Sequence, residues 1–227
     1  MRRWVSIAFE CATFATMVGA LYAIFLYAPV EKTMGIIQKI FYFHVSAAFL
    51  SFFAFFIVFV ASILYLHRRD RKWDILAQSS AEIGIIFCTL VLITGPIWAK
   101  PIWNVWWTWD PRLTTTLILW FIYVSYLMLR GMAGEGRRES FAAVFGIVGF
   151  INVPITFFAI RIWRTIHPVV IRSSGLSITS PMLNTMIITL LAFTLLYFYL
   201  LMARIRLERM RDDYGEMRAL WEEWNNR

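Results

Sequence analysis

The amino-acid sequence predicts an all-α protein: an integral membrane bundle of six transmembrane helices with a tryptophan-rich loop at its outer face. Three observations predict it. Of the 227 residues, 60% are hydrophobic and 16% charged, whereas soluble domains are about 45–50% apolar and about 25% charged. The apolar residues gather into six runs, each near the ~20 residues a helix needs to cross a bilayer core. The Lys and Arg residues collect between those runs and alternate in density from one connection to the next.

The expected spans are 6–27, 41–66, 75–94, 113–129, 141–160 and 182–202. The first follows Met1-Arg2-Arg3 and is too long for a signal-peptide core, so it is read as a true span. Residues 1–203 then form one transmembrane domain. Residues 204–227 are charged and amphipathic and are expected as a cytoplasmic tail, a helix lying outside the bilayer. Of the 22 basic residues, the N-terminus, the His67–Trp73 and Arg130–Ser140 connections and the tail hold 15. The three remaining connections hold 7. The positive-inside rule therefore places both termini in the cytoplasm and those three connections outside. The net charge of +8 serves topology, and membrane lipid rather than nucleic acid is the expected surrounding. No G-x-x-x-x-G-K-[ST] string occurs. Cys11 and Cys88 lie in apolar runs without a C-x-x-C pair, as inert small core residues do.

The outer connection 96–112 carries the strongest signal. Trp98, Trp103, Trp106, Trp107 and Trp109 are five of the chain's 11 tryptophans, within 12 residues. Interfacial belts are sparser. Indole rings are wide, rigid and amphipathic, and they suit a flat apolar ligand. Asp110 is placed to cap the next helix and Pro111 to occupy its first position. Arg112 then stands at the positive helix end, where it favours an anionic group.

Three histidines are available. His67 sits in a basic cluster and reads as solvated. His44 lies about one turn into the second run, with Ala47, Ala48 and Ser51 along its face. A histidine inside a span is a functional candidate by default. His167 lies in the third outer connection. His44, His167 and the tryptophans thus meet at one face, and two neutral imidazoles can ligate heme iron axially. Arg112, Arg161, Arg164 and Arg172 are candidates to pair with propionates, since a guanidinium grips carboxylates in a fork. Glu82, inside the third run, is expected to be protonated or paired with Arg71 or Lys72. Asn152 and Asn184 are expected to bond between helices. No metal-ligand cluster or catalytic triad is evident, so an enzyme is not expected.

The string Trp103-x-x-Trp106-Trp107-x-Trp109-Asp110-x-Arg112-Leu113-Thr114 resembles the WWD signature of the heme-handling membrane proteins of cytochrome c assembly. Six helices, a short chain and one histidine on each side of the motif narrow the resemblance to the heme exporter protein C branch. It covers nearly the whole chain, the tail aside. The resemblance implies a multi-pass protein of the bacterial inner membrane that binds heme b at the periplasmic face. It implies that His44 and His167 flank the heme, that the WWD loop from Trp98 to Asp110 touches it, and that the heme passes to a periplasmic heme chaperone. ATP-binding cassette subunits and a small one-helix subunit are the implied partners. Ala99 and Asn104 depart from forms of the motif that carry glycine after a tryptophan. A transmembrane heme permease subunit and a heme-dependent quinol redox protein are the competing readings.

Overall fold

A computed structural model describes residues 3–132, 138–165, 167, 171–172, 175–176 and 179–226. The helices are α1 (Arg3–Tyr22), α2 (Ile40–Arg68), α3 (Arg71–Trp103), α4 (Pro111–Met132), α5 (Arg138–Phe150), α6 (Asn152–Ile162) and α7 (Ser180–Asn225). A wide π turn, Ala23–Tyr27, ends α1, and a 3-10 turn, Ile36–Lys39, leads into α2. A two-residue hairpin pairs Ile171–Arg172 with Gly175–Leu176. Among the described residues, six helical segments are long and apolar enough to cross a membrane, α5 and α6 counting as one. The protein is an all-α, multi-pass membrane bundle.

The central pair is α2 against α3. The pair α4 and α5 packs on one flank, with α6 along α4, and α1 and α7 pack on the other. Small residues bring the central pair together: an added Cβ at Gly84 would stand 2.7 Å from Phe55 Cε1 and 3.0 Å from Ala54 Cβ. Phe55 is in turn stacked on Tyr123 of α4, centroids 3.6 Å apart and planes 9° apart.

Three elements differ from the sequence expectation. The connection expected over 96–112 is helical as far as Trp103, because α3 runs on through Pro96 and Pro101. Proline usually ends a helix, but in a membrane helix neighbouring groups re-satisfy the freed carbonyls. The fifth span is broken at Ile151, whose N–H bonds back to Val148 O at 3.1 Å. Pro154, which has no N–H, falls in the first turn of α6, where none is required. The tail expected from residue 204 is, as far as Asn225, the unbroken continuation of α7. At 1.5 Å per residue its 46 residues span about 69 Å, far beyond a core of about 30 Å.

Ion pairs fix the first turns of that continuation to the bundle. Arg204 holds Glu82 through two nitrogens, one at 2.9 Å, and reaches Glu208 at 2.6 Å. Glu82 is therefore paired, with Arg204 rather than with Arg71 or Lys72. Arg71 bonds Asp212 at 3.0 and 3.1 Å. Arg130 of α4 grips Asp74 with both terminal nitrogens at 2.6 Å, and the two residues are 6% and 2% exposed. Asn152 donates to Thr115 O at 2.9 Å and Asn184 to Tyr27 Oη at 3.4 Å, as expected of interhelical bonds.

Candidate functional site

At the tryptophan end of the bundle, α2, α3, α4 and α6 part to leave an open cleft. It contains about 1470 Å³ of empty space, its mouth included. Its walls are apolar, with Phe49, Phe52, Val91 and Phe157 among them, and its polar lining includes His44, Arg112, Arg161 and His167.

The two histidines face each other across this space. Their ring centroids are 6.4 Å apart, with 34° between the planes. A metal bound at about 2.0–2.1 Å by one nitrogen of each ring would separate the centroids by on the order of 6 Å. Among the described residues no group of three or more His, Cys, Asp and Glu could hold a metal ion. A bare ion would want about four ligands. Two opposed imidazoles instead suit a metal whose other ligands come from a flat macrocycle.

His44 is held through its ring and His167 through its backbone. His44 Nδ1 is 2.9 Å from Thr94 Oγ1 on α3. The backbone N–H of His167 donates to Thr165 Oγ1 at 3.0 Å, and Thr165 Oγ1 donates to Asp110 Oδ1 at 2.8 Å. The same Asp110 oxygen accepts from Arg112 N at 2.9 Å, which makes it the cap of α4. Asp110 therefore ties the tryptophan segment to the His167 segment. It is buried at 8% exposure.

The tryptophans divide. Trp98, Trp103 and Trp107 line the cleft, with Trp98 and Trp103 edge-to-face at 4.9 Å. Trp106 and Trp109 are 59% and 76% exposed, and Trp109 leans edge-on against Trp107 at 5.9 Å. The indole nitrogens of Trp98 and Trp107 are buried and make no hydrogen bond among the described residues. A buried donor left unmade costs about 1–3 kcal/mol, so acceptors brought by a ligand would be favourable here. The turn after α3 is made by Asn104, in left-handed geometry at φ 58°. Asparagine is the residue that best replaces glycine there. Lys100 Nζ fixes it by bonding both Asn104 O and Oδ1 at 3.1 Å. The departure at Asn104 thus preserves the turn, while Ala99 is buried in α3 beside the cleft.

The basic residues also divide. Arg112 spends Nη1 on the carbonyls of Thr156 and Phe157, the latter at 2.9 Å, so it braces α6 as well as lining the cleft. Arg161 is exposed at its edge. Arg164 is exposed and not part of the lining. Arg172 has its backbone in the hairpin, but its side chain is outside the described residues. The sequence reading missed Thr94 and Thr165. Their signals were weak: a threonine in a span, such as Thr94, usually bonds its own helix, and Thr165 lies in a connection where no motif marks it.

The sequence profile of the family described as heme exporter protein C matches residues 1–220. Similar proteins include the heme exporter protein C of Bradyrhizobium diazoefficiens, 37% identical over 198 residues that cover 84% of this chain and 75% of that one. That of Escherichia coli K12 is 30% identical over 210 residues, covering 92% and 82%. A mitochondrial protein of Marchantia polymorpha named for cytochrome c biosynthesis is 33% identical over 188 residues, covering 82% and 80%.

Proposed function

This chain belongs to the heme exporter protein C family, and from that premise we propose that it binds heme b at the periplasmic face of the bacterial inner membrane and delivers it to a periplasmic heme chaperone during cytochrome c maturation. The observation that carries this reading is the opposition of His44 and His167 across an apolar cleft, 6.4 Å between centroids. In it the two imidazoles are the axial ligands. Trp98, Trp103 and Trp107 support the ring. Arg112 and Arg161 meet the propionates, with Arg161 nearest the opening. Both termini are cytoplasmic.

The task is presentation rather than catalysis. The cleft's open mouth lets a partner reach the bound ring, and exposed Trp106 and Trp109 lie on the adjoining segment. ATP-binding cassette subunits and a one-helix subunit are the further partners of this reading. They would supply the energy that a chain without a phosphate-binding loop does not.

The packing favours delivery over permeation. Farther along α4 from the cleft lie the buried Phe55–Tyr123 stack and then the buried Arg130–Asp74 pair. A permease needs alternating access about a site near the midplane. The test is heme absorbance of the purified protein. Wild type is expected to show the band of a six-coordinate heme and to pass heme to the chaperone on mixing. His44→Ala with His167→Ala should abolish that band. An unchanged spectrum and affinity in the double variant would rule out ligation by this pair.

A further inference from the structure

We propose that Thr94 is a positioning residue for His44: its hydroxyl accepts the imidazole Nδ1–H and thereby leaves Nε2 as the bare, metal-binding nitrogen. The assignment rests on the proposed ligation of heme by His44. The argument is one of proton counting. A threonine hydroxyl has a single proton. Thr94 Oγ1 lies 2.7 Å from Leu90 O, one turn back in α3, and a carbonyl can only accept. The proton goes there, in the back-bond common to threonine in membrane helices. Thr94 Oγ1 is also 2.9 Å from His44 Nδ1, and in that direction only lone pairs remain. Nδ1 must therefore carry the hydrogen. A neutral imidazole has one N–H, so Nε2 keeps its lone pair.

The neighbouring glycine leaves room for that orientation. The next residue on α3 is Gly95, and a Cβ there would stand 3.5 Å from His44 Cε1. The ring edge between the two nitrogens thus lies beside the Thr94–Gly95 step, and His44 lines the cleft. A ligating histidine generally gives its other N–H to a fixed acceptor, which sets tautomer and orientation and raises basicity. Here α3 supplies that acceptor from the same helix that carries Trp98 and Trp103.

The test needs no bound heme for its first readout. Histidine is labelled with ¹⁵N in the full chain, in nanodiscs without ligand, and His44→Ala assigns the signal. Wild type and Thr94→Ser are expected in the Nδ1–H tautomer. Thr94→Val keeps the shape but removes the acceptor, so His44 should lose that preference. Hemin affinity of the valine variant should fall about 10- to 100-fold, while the serine variant stays near wild type. An Nε2–H tautomer in wild type overturns the proposal, and so does a valine variant with unchanged tautomer and affinity. If the valine variant does not fold, the wild-type and serine spectra still decide. Unchanged hemin affinity in His44→Ala would instead defeat the ligation reading, whatever the tautomer proves to be.

Discussion

Thr165 donates its hydroxyl to Asp110 Oδ1 at 2.8 Å, so one carboxylate both caps α4 and anchors the segment that carries His167. The two roles can be separated. Asp110→Ala removes the cap, at about 0.5–2 kcal/mol, and releases Thr165. Both the unfolding temperature and the heme affinity should fall. Thr165→Val leaves the cap in place. It should lower heme affinity while the melting curve stays near wild type, as read by absorbance titration and thermal unfolding in detergent. Equal thermal losses in the two variants would show that the link serves stability alone.

The division among the tryptophans predicts unequal effects. Trp107 lines the cleft, whereas Trp109 is 76% exposed. An aromatic side chain buries on the order of 150–250 Å² when covered, and truncating a covered contact often costs more than about 1 kcal/mol. Trp107→Ala should weaken heme binding by roughly 10-fold, about 1.4 kcal/mol. Trp109→Ala should leave affinity near wild type and slow transfer to the chaperone. Heme titration and stopped-flow transfer distinguish the two.

The approach of α2 to α3 predicts intolerance at a glycine. In Gly84→Ala the new Cβ would meet the Phe55 ring at 2.7 Å. That ring cannot swing aside, because it is stacked on Tyr123 at 3.6 Å. Overpacking of this kind costs about 1–3 kcal/mol. The matched control is Gly19→Ala, where nothing lies within 4 Å, and no loss of thermal stability is expected. A Gly84→Ala protein that melts with wild type would refute the close contact.

The spans, His44 and the helix start at Asp110-Pro111 were legible because each depends on local chemistry: apolar length, a polar residue in an apolar run, a capping pair. Other features were not. The helical stretch from Gly95 to Trp103 contradicts the local rule for proline, and only neighbouring helices make it tolerable. The partner of Glu82 lies 122 positions away at Arg204, a separation no local pattern reports. Trp107 and Trp109 are two residues apart and chemically identical, yet one faces the cleft and the other solvent. Likewise, the arginines near His167 looked equivalent in sequence, and their position relative to the cleft separates Arg161 from Arg164.

The Arg130–Asp74 pair predicts a strong asymmetry between single and double substitution. Both groups are almost fully buried, and two bonds of 2.6 Å join them. Removing one partner from a buried pair leaves an uncompensated charge, which costs about 3–5 kcal/mol, whereas replacing both can be nearly neutral. Asp74 also contacts Arg71, so Arg130→Gln should fall toward the lower end of that range. Asp74→Asn should cost more, since it strands the less exposed cation and weakens the hold of Arg71. The combined Asp74→Asn, Arg130→Gln protein should recover much of the loss. Because neither residue lines the cleft, heme affinity of the folded fraction should not change in any of the three. Denaturant unfolding in detergent, followed by tryptophan fluorescence, measures the first expectation, and heme titration of the same samples measures the second. Additive losses in the double variant would mean that the two side chains do not act as a pair.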